Sequence, residues 1–173
     1  LSALELIRAV EAIAKGRRIL LSAAENSCTV AEDLATKLIY LGIDAVFYQD
    51  VYRQNLCACS LSPEDSAIGI SYTGASESTV DTLRIAKEAG AVTIAVTNHE
   101  KAYINRYADI ILCSGNEQYF YRNALFSRCA QLAIVDMLYS GLLITDFERF
   151  TENLDQRSFV SEKFSLEKKE GKL

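Results

Sequence analysis

The stretch "AIGISYTGASESTVDTLRIAKEAGAVTIAVT", residues 67–97, decides how the chain folds. An apolar run over 66–71 has strand character and breaks into a loop rich in hydroxyls: Ser71, Thr73, Ser76 and Ser78 around Gly74. A helical period follows over 77–89 through Val80, Leu83 and Ala86, and Gly90 closes it. "AVTIAVT" (91–97) then reads as a buried strand. Strand, helix and strand with no room for a hairpin make a parallel crossover unit. The loop between its first strand and its helix either caps the helix or receives an anion. Ser and Thr at a helix start are ordinary caps, but three hydroxyls at 71, 73 and 76 exceed what one cap requires.

Working outward, strand and helix periods alternate along the rest of the chain. Residues 2–15 predict a helix stopped by Gly16, 17–23 a strand, 29–42 a helix and 44–49 a strand. Residues 51–60 predict a short helix, 100–108 another and 109–114 the fifth strand. A long apolar helix is expected over roughly 121–145. Five short strands alternating with helices predict a parallel sheet covered on both faces. The long helix is apolar over more of its width than one sheet contact needs, so a homodimer or tetramer is expected. Residues 1–150 are read as one domain. Residues 151–173, with five acidic and five basic side chains, are read as a charged tail, helical or partly disordered.

The totals bound the functional classes. With 173 residues, half of them apolar, the chain can bury a full core. A formal charge of −5 leaves no basic footprint for nucleic acid. No run of about 18 apolar residues occurs, which argues against a membrane span. The five cysteines include no C-x-x-C pair, and one histidine, His99, leaves little to complete a zinc site. They are read as small buried hydrophobes of a reducing compartment, hence a cytoplasmic protein with no metal and no cofactor. The sequence has no starting Met and contains no helix-turn-helix of its own, so contact with DNA is expected only through a domain absent from this chain.

Ligands of open parallel sheets bind beyond the carboxyl ends of the strands, where the winding reverses. If the strand order is 2-1-3-4-5, the loops meeting there are "SAAENSCT" (22–29) and "SYTGASES" (71–78). Both lead into helix N-termini, whose free N–H groups favour an anion. Ser27 adds a hydroxyl from the first loop. Asp50 ends the second strand, but no G-x-G-x-x-G follows the first, which excludes a dinucleotide; Asp50 is left as a candidate for lining the pocket. Glu77 is a dipole-matched surface residue or an acid–base candidate, and His99 reads as a surface loop histidine. Arg122 and Arg128 read as surface or intersubunit ion pairs, with ligand contact as the alternative.

The crossover unit resembles the core of the SIS (sugar isomerase) domain, whose phosphate loop runs S-x-[ST]-G-x-[ST]. "NRYADIILC" resembles the family's A-D-x-x-L strand. "FSRCAQLAIVDMLYSGLL" and "AEDLATKLIYLG" resemble helices of SIS domains in RpiR-type bacterial transcriptional regulators. The resemblance covers about residues 1–145. It implies a three-layer αβα sandwich with a five-stranded parallel sheet in the flavodoxin-like order 2-1-3-4-5. It implies a phosphorylated sugar or amino sugar as ligand, with Ser71, Thr73, Gly74 and Ser76 in the phosphate loop and Ser27 opposite. Glu25 and Asn26 complete the candidate set. The chain departs from the family where its first loop, resembling G-x-G-x-S, reads Ala23, Ala24, Glu25, Asn26, Ser27. Arabinose-phosphate isomerases carry a histidine-containing segment after the second strand, and "FYQDVYRQNLCACS" has none. The expectation is therefore a non-catalytic, ligand-sensing domain, with a sugar-phosphate isomerase or a dimerisation module with a degenerate site as alternatives.

Overall fold

The computed structural model describes residues 1–115 and 128–164. Helix α1 (Ala3–Lys15) is capped by Ser2, whose Oγ accepts from the Glu5 N–H, and stops at Gly16. Strand β1 (Ile19–Ala23) and helix α2 (Cys28–Tyr40) follow, then β2 (Ala45–Phe47) and α3 (Val51–Cys59). The crossover unit is β3 (Ser66–Ile70), α4 (Glu77–Glu88) and β4 (Val92–Thr97). Strand β5 (Ile110–Cys113), α5 (Cys129–Thr145) and α6 (Phe147–Phe164) complete the described chain.

All five strands pair in parallel, in the expected order β2-β1-β3-β4-β5. Alternation along β1 sends Ile19 and Leu21 to one face and Leu20 to the other. On the first face α1, α2, α5 and α6 bury Ile13, Leu34, Leu38, Ile134, Leu138 and Phe150 against the sheet. On the second, Ala58 of α3 and Val80, Leu83 and Ala86 of α4 do the same. Every residue of β1 and β3 is buried, as a sheet covered on both sides requires. Lys37, late in α2, pairs with Asp33 on its own helix and at 2.9 Å with Asp136 of α5.

Some local readings change. β2 holds only three residues of the expected 44–49, because the Tyr48 carbonyl leaves the ladder to accept from Gln54 Nε2 at 2.6 Å. The expected helix at 100–108 is a 3-10 turn over Tyr103–Tyr107. There the Ile104 N–H donates to the Gly74 carbonyl instead of to a residue one helical turn back. The predicted long helix is described from Cys129 onward; its first residues, 121–127, lie outside the described residues. The cysteines are free thiols but not buried ones. Cys59 and Cys129 are exposed and the other three half-buried, since each lies at or near the end of an element or on a rim facing solvent.

The outer edge of β5 is screened by α1: Glu5 Oε2 accepts from the Ile111 N–H at 3.0 Å and Arg8 donates to the Asp109 carbonyl. An unpaired edge is a template for aggregation, and a carboxylate laid on it blunts that. The Ile111 N–H holds the Glu5 carboxyl below its ordinary value, against burial and with help from Arg8. A carboxyl depressed in the folded state contributes stability that is complete above its unfolded pKa and lost as pH falls through its folded one. The unfolding free-energy gap between wild type and Glu5→Gln, measured in urea, is therefore expected to be open at about pH 6 and to close below about pH 4. A gap that is constant across this range would show that the edge contact carries no charge term.

Candidate functional site

The carboxyl ends of β1 and β3 lie side by side, and the helices that follow them leave on opposite faces of the sheet. The winding of the chain over the sheet reverses between these two parallel strands, so a crevice opens there. A cavity of about 230 Å³ fills it. One wall is Ala24, Glu25, Asn26 and Ser27. The other includes Ser71, Tyr72, Thr73 and Ser76, and Arg128 from the start of α5 completes it. The volume is below the roughly 300–1,000 Å³ of most small-molecule sites, so it suits a monosaccharide-sized group rather than a dinucleotide.

The hydroxyls are not occupied with capping. Ser27 precedes α2 and Ser76 precedes α4, yet neither side chain bonds to a first-turn N–H of its helix. Ser2 and Asp50 show what capping looks like in the same molecule: Ser2 Oγ accepts from Glu5 N–H and Asp50 Oδ1 from Arg53 N–H at 2.9 Å. Without a side-chain cap, the first-turn N–H groups of α4 are left for an incoming acceptor; at α2 the Cys28 N–H already donates to the Glu25 carbonyl, in a 3-10 turn over Glu25–Ser27. Within the loop, Ser71 Oγ accepts from the Gly74 N–H at 3.1 Å and Thr73 Oγ1 from the Ala75 N–H at 3.2 Å. Each hydroxyl therefore retains a proton to donate. Ser76 Oγ stands 3.3 Å from Ser78 Oγ and accepts from Thr79 Oγ1. Ser27 and Ser71 are buried, so their polar atoms have little water to fall back on.

Gly74 belongs to the loop without lining the cavity. Its φ of +63° is left-handed. A Cβ there would overlap that of Ala102 and stand 2.8 Å from Thr97 Oγ1. The loop is also held from β4, where the Asn98 N–H donates to the Tyr72 carbonyl at 3.0 Å. Glu25 sits at φ +52°, the one non-glycine residue with positive φ among the described residues. That is the position the G-x-G-x-S pattern gives to glycine, so a carboxylate is carried on a backbone geometry suited to a residue without a Cβ.

One contributor was not legible in the sequence. Gln54 of α3 is fully buried and brackets the first loop. Ser22 Oγ donates to its Oε1 at 2.7 Å, while its Nε2 donates to the carbonyls of Ala23 and Tyr48. A glutamine in a short polar helix gives no pattern that marks it. Arg128, read as a surface or intersubunit ion pair with ligand contact as the alternative, lines the cavity. Its guanidinium lies 5.3 Å from the Tyr72 ring centre, and Nη1 donates weakly to Gln131 Oε1 at 3.4 Å. Its Nε is buried with no partner among the described residues. Burial pushes Arg128 below its ordinary value, opposed by Tyr72 and Glu25, but a guanidinium stays charged at any physiological pH.

Other candidates fall elsewhere. Asp50 caps α3 and does not line the cavity, because its carboxylate is held by the Arg53 N–H. Glu77 faces a neighbouring cleft with Val80, Asp81, Tyr103 and Tyr107. His99 lies in the loop after β4, where its carbonyl accepts from Asn105, and it is not among the lining residues. Arg122 lies outside the described residues.

Comparison with known proteins adds the family context. The family model described as "SIS domain" matches residues 12–141. An uncharacterised HTH-type transcriptional regulator of Caldanaerobacter subterraneus subsp. tengcongensis is 36% identical over 160 residues, 90% of this chain and 57% of the relative. Among solved structures, the sugar isomerase domain of an RpiR transcription factor from Sphaerobacter thermophilus superposes with a TM-score of 0.83 at 25% identity. That match covers 91% of this chain and 87% of the other. The Vibrio vulnificus NanR protein complexed with ManNAc-6P superposes with a TM-score of 0.88 at 20% identity, covering 95% and 62%. At that identity the likeness is one of fold. The chain spans between 49% and 57% of the length of the first curated relatives it matches, all of them HTH-type regulators.

Proposed function

The chain belongs to the SIS domain family, and from that premise we propose that it is the phosphosugar-sensing effector domain of an RpiR-type bacterial transcriptional regulator. The observation that carries the reading is a pair of helix starts whose serines are free of capping duty and face one cavity with a partly buried arginine that makes no ion pair among the described residues. Hydroxyl protons from Ser27, Ser71, Thr73 and Ser76, the uncapped N–H groups and Arg128 then converge on a phosphate, with Asn26 and Glu25 toward the sugar. The relatives' description as HTH-type regulators supports a sensor, as does NanR's complex with a phosphorylated sugar.

In this reading the domain is residues 1–150, followed by a charged tail over 151–173 whose described part, to Phe164, is helical. It acts as a homodimer or tetramer in the cytoplasm, and DNA is contacted by a domain outside this chain. Exposed Met137 and Ile144 on α5 and Phe147 at the start of α6 support a subunit interface on that face. The free thiols fit a reducing compartment. Among the described residues no single helix is long and apolar enough to cross a membrane. The ligand regulates by binding one subunit arrangement more tightly than another, which shifts their populations.

A thermal-shift panel of sugar phosphates tests the proposal, because a ligand that binds only the folded chain raises its melting temperature. At a ligand concentration about 100 times Kd the stabilisation is about 2.7 kcal/mol, readily visible in a melt. Thr73→Val and Ser76→Ala are each expected to remove most of that shift while moving the unliganded melting temperature little. A broad panel without any shift would sink the sensing role. The isomerase alternative rests on Glu25, the carboxylate that lines the cavity. Turnover of a sugar phosphate by the wild type, lost in Glu25→Gln, would establish it in place of the sensor.

A further inference from the structure

The cavity carries two opposite charges that do not satisfy each other. Neither Glu25 nor Arg128 makes an ion pair among the described residues. Both line the same space, and Glu25 is near enough to act on the Arg128 charge. A phosphate alone explains half of this arrangement. It accounts for the hydroxyl loop, the uncapped helix starts and Arg128, whose Nε lacks a partner among the described residues. Glu25 works against it, since a carboxylate beside a phosphate dianion repels it.

The backbone sharpens the contradiction. At φ +52° a glycine would sit without strain and without charge, whereas Glu25 has both. A hydroxyl on the ligand would donate to the carboxylate and leave its charge facing the phosphate. An ammonium would donate and also cancel that charge. We propose, building on the phosphosugar reading, that the site selects a zwitterionic ligand: a phosphorylated amino sugar with a free, protonated amine. Arg128 and the hydroxyl loop take the phosphate, and Glu25 takes the amine. Glu25 is then the specificity-determining residue. An N-acetylated sugar phosphate, whose amide nitrogen carries no charge, is discriminated against.

Isothermal titration of the 173-residue chain with glucosamine 6-phosphate, N-acetylglucosamine 6-phosphate and glucose 6-phosphate tests this. The first is expected to bind about fivefold more tightly than either of the others, the size of a good exposed charge pair. In Glu25→Gln that preference disappears, the amine ligand weakening and the neutral sugars tightening. Glu25→Gly removes the backbone strain as well as the charge and is expected to lose the preference in the same way. Arg128→Gln is expected to weaken all three ligands together. Equal or tighter binding of a neutral sugar by the wild type overturns the charge assignment and leaves the phosphosugar reading standing. So does a preference that persists in both Glu25 variants. Failure of all three ligands together with a silent thermal-shift panel removes the phosphosugar reading, and this inference with it.

Discussion

Replacing Gly74 by alanine is expected to lower the melting temperature by about 5–15 °C and to abolish the shift produced by any sugar phosphate. Two costs add. A left-handed residue with a Cβ costs about 1–2 kcal/mol, and forcing a methyl into a filled space costs about 1–3 kcal/mol more. The space is filled from two sides, by Ala102 and by Thr97 Oγ1, and Ile104 N–H is bonded to the Gly74 carbonyl, so retreat is blocked. The same residue donates its N–H to Ser71 Oγ. Displacing it therefore moves the hydroxyls of Ser71 and Thr73 out of register with the start of α4. A Gly74→Ala protein that melts within about 2 °C of wild type and still responds to ligand would show that the loop tolerates a Cβ at this point.

The second large effect is expected from Phe150→Ala, at about 3–5 kcal/mol, or roughly 10 °C or more in melting temperature. Phe150 is fully buried on α6 and belongs to the same apolar cluster as Ile13, Leu38 and Leu142. Its loss leaves a cavity where α6 packs on α2 and α5, a place with little freedom to collapse. Phe159, 60% exposed further along the same helix, is the matched control. Its replacement by alanine is expected to change stability by no more than about 0.5 kcal/mol, the usual range for surface positions. Equal effects at the two positions in chemical denaturation would mean that α6 does not dock through Phe150.

Most of the architecture was legible because its signals are periodic. The strands at 66–71 and 91–97 are buried on both sides and read as continuous apolar runs, while α1 and α4 have one apolar face each, ended by Gly16 and Gly90. The two loops of the cavity were legible for a related reason: strand order fixes which loops meet, and hydroxyls clustered around Gly74 mark one of them. What the sequence hid are contacts made across the fold. Arg128 lies over 50 residues from the loop it joins and in an apolar helical context, where a charged residue looks like an outward face. Gln54 holds three partners on β1 and after β2 through side-chain hydrogen bonds that no spacing rule encodes. Asp50 misled because its position after the second strand suits both a ligand acid and a helix cap, and the cap won. The tail at 151–173 reads as charged because its polar residues outnumber the few that pack, Phe150 just before it and Leu154 within it.

Helix α2 follows Ser27 in the cavity wall and, ten residues on, is tied through Lys37 to Asp136 on helix α5. It spans about 20 Å at 1.5 Å per residue. A rod of that stiffness does not bend to absorb a push at one end. If an incoming anion draws Ser27 toward it, the far end slides by the same amount, and Lys37 must drag Asp136 along or release it. One stiff helix thus connects the crevice to α5, whose outer face exposes Met137 and Ile144.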